Sequence, residues 1–241
     1  MLHAILSDIH GNLEALEVVL ADLDRVKPAS VVCLGDFVGY GASPNECIER
    51  TRPRLEEAVI GNHDLAAIGR LALRSFHEDA ATAARWTDTR LTPENRAWLE
   101  SLPFERPWRG ARLVHAAPSA PAEWRYVLTP RDALAEFGTF DERLCFIGHS
   151  HFPCTFDRGP HDLRFRREDE VTIQPGHRYL VTVGSVGQPR DGDPRACYAH
   201  YDDQAGLIRN VRLEYDVDRA MDRIRAAGLP EFLAERLKWG E

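Results

Sequence analysis

Three times within the first 64 residues, a short apolar stretch runs straight into a cluster of metal-ligand side chains. Leu2-His3-Ala4-Ile5-Leu6 leads into Ser7-Asp8-Ile9-His10-Gly11-Asn12, and Ser30-Val31-Val32-Cys33-Leu34 into Gly35-Asp36-Phe37-Val38-Gly39-Tyr40-Gly41. Glu57-Ala58-Val59-Ile60 leads into Gly61-Asn62-His63-Asp64. Short apolar runs bounded by glycine and polar residues read as buried strands. The first cluster is followed by Leu13 to Leu20, apolar at helical spacing, in a helix that ends near Lys27-Pro28. After the second, Ser43-Pro44-Asn45-Glu46 has the form of a helix start, with Ser43 as N-cap and Glu46 completing a capping box. Strand alternating with helix implies an α/β fold whose ligands gather outside the carboxyl ends of the strands. In extended backbone Asp8 and His10 would point to one side and share a cation. One aspartate after a strand is coincidence; three such clusters form a rim.

The chain continues in the same style to about residue 151. From Leu65 to about Leu102 it reads as helical, with His77 as a structural or surface histidine, and Pro103 and Pro107 close the segment. Arg112-Leu113-Val114 is a strand that ends in His115. Residues 118–142 are a loop and a helix, capped by Thr129-Pro130-Arg131-Asp132; Trp124 and Tyr126 in that loop could line a pocket, with anchoring of the loop to the core as the first reading. Leu144-Cys145-Phe146-Ile147 ends in Gly148-His149-Ser150-His151, where two histidines repeat the spacing of Asp8 and His10. Beyond Pro153 come short strands: Thr155 to Asp157, Leu163 to Arg166, Val171 to Ile173, Tyr179 to Val183, Cys197 to Tyr201 and Leu207 to Arg212. They predict a second, more antiparallel sheet packed on the first. A loop from Gly184 to Asp193 interrupts them, and two amphipathic helices split by Gly228-Leu229-Pro230 form the tail from Asp216 to Trp239. With no internal repeat, low-complexity tract or linker, residues 1–241 read as one domain.

Composition narrows the chemistry. Five scattered cysteines, none in a CxxC pair, argue against a disulfide framework and a structural zinc site. No apolar run is long enough to span a bilayer and no signal peptide opens the chain, so a cytoplasmic protein is expected. A formal net charge of −8 without a dense basic stripe argues against a nucleic-acid polymer and favours a small anionic substrate at a metal. Trp108, Trp124 and Trp239 suit a core or a subunit interface equally, which leaves a homo-oligomer open.

Taken in order, Asp8-Ile9-His10, Gly35-Asp36-Phe37-Val38-Gly39, Gly61-Asn62-His63-Asp64, His115 and Gly148-His149-Ser150-His151 follow the motifs D-x-H, G-D-x-x-G, G-N-H-D/E, a lone histidine and G-H-x-H. With this set the chain resembles the calcineurin-like metallophosphoesterases, in a small bacterial phosphodiesterase-like branch without a large cap domain. The resemblance implies a four-layer α/β/β/α sandwich, with two mixed sheets flanked by helices. It also implies two divalent transition-metal ions, one held by Asp8, His10 and His151, the other by Asn62, His115 and His149, with Asp36 bridging both. Manganese is the first expectation; iron, zinc, nickel and cobalt also suit an imidazole and carboxylate donor set without thiolate. Ala116 stands where the family usually has glycine. His63 would assist catalysis, oriented by Asp64. Asn12, Tyr40 and Arg190 lie in loops that could face the metals and bind substrate, arginine by bidentate contact with phosphate. The expected function is hydrolysis of small phosphate esters, phosphodiesters or dinucleoside polyphosphates first, by a metal-activated hydroxide attacking phosphorus. A phosphomonoesterase or protein phosphatase is the enzyme alternative, and a catalytically silent scaffold on the same fold is the alternative of another class.

Overall fold

The computed structural model describes residues 1–241. The first part of the chain holds β1 (Leu2–Leu6), α1 (Leu13–Val26), β2 (Ser30–Cys33), α2 (Pro44–Thr51), β3 (Glu57–Ala58), α3 (Asn62–Ala67), α4 (Glu78–Asp88) and α5 (Pro93–Ser101). Next come β4 (Glu105–Trp108), β5 (Ala111–Val114), α6 (Pro130–Glu136), β6 (Leu144–Ile147) and β7 (Cys154–Arg158). The last part holds β8 (Leu163–Arg166), β9 (Glu170–Thr172), β10 (Arg178–Thr182), β11 (Ala196–Asp202), β12 (Leu207–Leu213), α7 (Val217–Ala226) and α8 (Glu231–Trp239). No helix is long and apolar enough to cross a membrane.

The strands form two six-stranded mixed sheets, in the orders β3-β2-β1-β11-β12-β9 and β4-β5-β6-β10-β7-β8. Strands β1, β2 and β3 run parallel in the first, and β5, β6 and β10 run parallel in the second. Alternation along each strand explains the layers. From β1, Ile5 joins Val32, Val59, Phe146, Tyr179 and Val181 in the layer between the sheets. Its neighbours Ala4 and Leu6 face the other way, onto Leu16, Val19, Leu20 and Leu23 of α1. The second sheet buries Cys145, Ile147, Phe156 and Leu180 against Ala133 of α6 and Phe137 just after it. Helices, sheet, sheet and helix thus give the α/β/β/α sandwich that the family resemblance implies.

Several local expectations need correction. The strands beyond Pro153 do not form a sheet of their own: β9, β11 and β12 extend the first sheet, while β7, β8 and β10 complete the second. Alternating burial tells a strand which face is wet but not which distant strand is its partner. The stretch before β5 contains a strand, β4, despite Pro107; the proline is tolerated because β4 lies at the sheet edge with β5 as its one neighbour. The helical segment to Leu102 is three helices, interrupted by Gly69 at φ 76°. Ser43 makes no side-chain cap, because its own N–H is drawn to Gly11 O at 3.0 Å and its backbone leaves the capping range. Thr129 and Asp132 do form the expected box on α6. All five cysteines are free and buried.

The two sheets are also laced together at one end. Val186 N and Gly187 N, after β10, donate to Ser7 O and Asp8 O after β1, at 3.0 and 2.9 Å. There the ligand-bearing loops converge.

Candidate metal centre

The backbone that presents the ligands is not extended. Asp8, His10, Asp36, His149 and His151 have φ of 54°, 51°, 55°, 64° and 58°, in the left-handed region that costs an L-residue roughly 1–2 kcal/mol. The shared orientation of Asp8 and His10 therefore comes from two left-handed turns and not from strand alternation. Main-chain bonds across loops hold this strain in place, Asp8 N to Gly35 O at 3.0 Å and His10 N to Asp36 O at 2.9 Å. Strain of this kind collects at functional sites. The glycines beside it are sterically required: a Cβ on Gly61 would overlap Asp36 Oδ1, and one on Gly187 would overlap Ile9 O.

All seven expected ligands come together, and each is buried. Asp8, His10, Asp36 and His151 form one group whose ligand atoms are mutually close, and Asp36, His115 and His149 form another. Asp8 Oδ1 lies 3.2 Å from His151 Nε2 and 3.7 Å from His10 Nε2. Asp36 Oδ2 lies 3.6 Å from His10 Nε2 and 3.2 Å from His115 Nε2, so one oxygen faces both groups. Asn62 Oδ1 joins the second group, 3.2 Å from His115 Nε2. Ligand atoms around a single ion bound at about 2.0–2.2 Å stand about 3–3.5 Å apart, and most of these separations fall there.

The hydrogen bonds behind the ligands fix which atoms face inward. His10 Nδ1 donates to Val38 O, His151 Nδ1 to Gln188 O and His115 Nδ1 to Leu34 O, at 3.0, 2.6 and 2.7 Å. His149 is turned the other way, Nε2 donating to Trp124 O at 2.8 Å. A carbonyl only accepts, so in each neutral ring the opposite nitrogen presents a lone pair to the site. His10 Nε2 and His151 Nε2 then face each other at 3.1 Å, while Asp8 Oδ1 and Asp36 Oδ2 are buried without any donor. Acceptors converge with nothing to donate to them. A cation fits that arrangement.

Charge follows the same logic. Burial would raise Asp8 and Asp36, but the histidines around them, His151 for Asp8 and His115 for Asp36, hold both below the usual carboxylate range. Burial lowers His10 well below its ordinary value and His149 to about 3, which keeps both rings neutral. His115 goes the other way: burial is overcome by Asp36 and Asp8, and it is pushed up to about 9. The same two carboxylates, which the neutral rings leave without a donor, thus favour positive charge at His115 Nε2, a proton or the cation that would replace it.

The sequence model of the calcineurin-like phosphoesterase superfamily domain matches residues 1–205. The chain belongs to that superfamily. A metallophosphoesterase from Sphaerobacter thermophilus superposes with a TM-score of 0.87 at 40% identity, over 100% of this chain and 99% of its own. An uncharacterized protein of Methanocaldococcus jannaschii is 39% identical over 242 residues, 98% of this chain and 97% of its own. A hypothetical protein from Pyrococcus horikoshii OT3 shares the fold at a TM-score of 0.81 and 20% identity, over 100% of this chain and 98% of its own. The superfamily uses divalent metals for hydrolysis, and the donor set described above suits them.

In this phosphoesterase the ligand groups open on a cleft of about 380 Å³. Asn62, His63 and His149 form its floor, and Tyr40, Phe76, Trp124, Tyr126, Arg190 and Arg236 contribute to its walls. The His63 ring packs edge-on against His10 at 4.9 Å and close to Tyr40 at 4.3 Å, with Nδ1 buried and unpartnered against Gly39. Burial lowers His63 to about 4, with Arg190 and the neighbouring histidines adding to the effect against Asp36.

Asp64 does not orient His63. Its Oδ2 accepts from Asp36 N and Gly61 N at 2.8 and 3.0 Å, and its Oδ1 from Val38 N at 3.2 Å. Its position one turn into α3 points it back at the backbone of the loops after β2 and β3, and it ties them together. Asn12 is also engaged elsewhere: Oδ1 caps α1 by accepting from Ala15 N at 3.1 Å, and Nδ2 donates to Gly187 O at 2.8 Å. Tyr40 and Arg190 do reach the cleft, with Arg190 Nη2 donating to Tyr40 Oη at 3.1 Å.

Trp124 and Tyr126 line the cleft as well, and Tyr126 stacks on His149 with ring centroids 4.1 Å apart. Their loop lies just after β5, which was the available signal. Arg236 had none, since nothing in an amphipathic C-terminal helix marks one arginine as facing a site built from earlier parts of the chain.

Proposed function

We propose that the protein hydrolyses phosphodiesters or dinucleoside polyphosphates, using two divalent ions, manganese first among them. The observation that carries this reading is the pair of ligand groups sharing Asp36, opening on a cleft with both cationic and aromatic walls. Bound ions supply charge at the phosphate oxygens and water acidic enough to attack phosphorus near neutral pH.

Asp8, His10 and His151 hold one ion, Asn62, His115 and His149 the other, and Asp36 serves both. Arg190 binds a non-bridging phosphate oxygen through charge-assisted hydrogen bonds. His63, fixed by Tyr40, Phe76 and Gly39, donates a hydrogen bond to the leaving oxygen as the bond to phosphorus breaks. The apolar surfaces of Phe76, Trp124 and Tyr126 suit the organic groups on either side of a diester. An intact ligand set with His63 in place disfavours the scaffold alternative.

The test is a parallel assay of manganese-loaded protein on bis(p-nitrophenyl) phosphate and p-nitrophenyl phosphate, with a chelator control. Chelator-sensitive turnover favouring the diester is expected. Preference for the monoester would redirect the assignment to phosphatases, and no turnover of either by metal-loaded protein would favour a scaffold.

A further inference from the structure

The cleft does not stop at the ligand groups. Past Tyr40 it continues into a smaller hollow of about 150 Å³ whose lining includes Tyr40, His77, Asp79, Phe232 and Arg236. Two guanidinium groups face the ring of Tyr40, Arg190 at 5.6 Å and Arg236 at 6.0 Å from its centroid. Neither forms an ion pair with a side-chain carboxylate. Arg190 donates to the neutral oxygens of Tyr40 and Gln188, and Arg236 Nε to the main-chain oxygen of Glu241. The carboxylates that line the same spaces pair elsewhere, Glu123 with Arg125 and Asp79 with His77, while Glu241 just past α8 partly offsets the charge of Arg236. Two like charges half-buried in one cleft repel each other, and an anion bound between them relieves that repulsion. In keeping with this, burial and then the charge of Arg190 lower Arg236 to about 10.

The position of Arg236 is built, not incidental. Helix α8 docks on the loop that carries Arg190, with Gly192 N donating to Gly240 O at 3.0 Å. Gly240 closes the helix at φ 65°, and a Cβ there would press on the main chain of Asp193 at 2.7 Å. The helix lies beyond residues 1–205, the span that matches the superfamily model.

We propose that Arg236 is a specificity-determining residue that binds a second anionic group of the substrate. The preferred substrates are then phosphate esters that carry further phosphates, of the nucleoside polyphosphate class, with the base against the aromatic wall. This inference rests on the phosphoesterase reading of the cleft. Tyr40 packs against His63 and has Arg236 6.0 Å from its ring centroid, so the second anion would lie beside the tyrosine ring that borders the reacting phosphorus.

Two measurements test it. The first is kcat/KM for diadenosine tetraphosphate relative to bis(p-nitrophenyl) phosphate in the wild type, Arg236→Gln and Arg236→Lys. The ratio should fall about tenfold in Arg236→Gln, the order expected for one lost charge-assisted hydrogen bond. The loss should appear in KM, with partial recovery in Arg236→Lys. A ratio unchanged by Arg236→Gln overturns the role of Arg236 while leaving the phosphoesterase reading intact. Failure of the wild type to cleave either compound defeats that reading instead. The second measurement needs no turnover: calorimetric titration of the manganese-loaded protein with ATP and with AMP. Tighter binding of ATP by the wild type, lost in Arg236→Gln, supports the second anion site; equal affinities in the wild type contradict it.

Discussion

Asp36 is the residue on which most of the site converges. Its Oδ2 faces both ligand groups, its Oδ1 accepts from His63 N at 2.8 Å, and its own N–H is held by Asp64. Asp36→Asn keeps the shape and removes the charge, so metal affinity should fall by about a hundredfold or more. Elemental analysis of dialysed protein measures this directly. His63→Asn should retain metal while kcat falls by about 10²–10⁴; loss of metal together with activity would make His63 a structural residue instead. Asp64→Ala leaves three buried N–H groups without their acceptor, at about 1–3 kcal/mol for each one left unsatisfied. Its denaturation midpoint should drop clearly, and that of Asp64→Asn, which keeps one carbonyl oxygen, should drop less. At this scale the residues that gather at the site were legible because the ordered motifs of the superfamily stand in the sequence. The left-handed backbone at Asp8, His10 and Asp36 was not, since neighbouring loops impose it. Asp64 was misassigned for a related reason: adjacency to His63 in sequence says nothing about which backbone its carboxylate reaches.

The elements that matter most are the loop from Gly184 to Asp193 and helix α8. The loop is bound to the turn after β1 through Val186 and Gly187, and to β12 through the largely buried ion pair of Asp191 and Arg212. Removing one partner of such a pair strands the other charge, so Arg212→Met should cost about 3 kcal/mol. The double variant Asp191→Leu/Arg212→Met should recover much of that, as chemical denaturation of all three proteins would reveal. Strand identity was largely legible from short apolar alternation, and the parallel β1, β2 and β3 followed from their intervening helices. Sheet membership of β7 to β12 was not legible, because partners such as β1 and β11 are set by contacts nearly 200 residues apart. Edge strand β4 was hidden by Pro107, which forbids a central strand and permits an edge one.

On the scale of the whole molecule, two sheets that pack face to face bring the carboxyl ends of β1, β2 and β3 opposite those of β5 and β6. One ligand group then draws on both sheets: Asp8, His10 and Asp36 follow strands of the first, and His151 follows a strand of the second. Metal bound there would hold the sheets together and favour the folded chain, in which alone these residues meet. With metal at about a hundred times its dissociation constant, stability should rise by about 2.7 kcal/mol, or about 5–10 °C in Tm for a chain of this size. Thermal scans with manganese and with chelator measure that difference. Anomalous diffraction from crystals of the manganese-loaded protein is the most direct test of the shared site. Two peaks per chain, one on each side of Asp36 Oδ2 and each contacted by its own histidines, are predicted. A single peak, or peaks away from Asp36, would contradict the two-ion site.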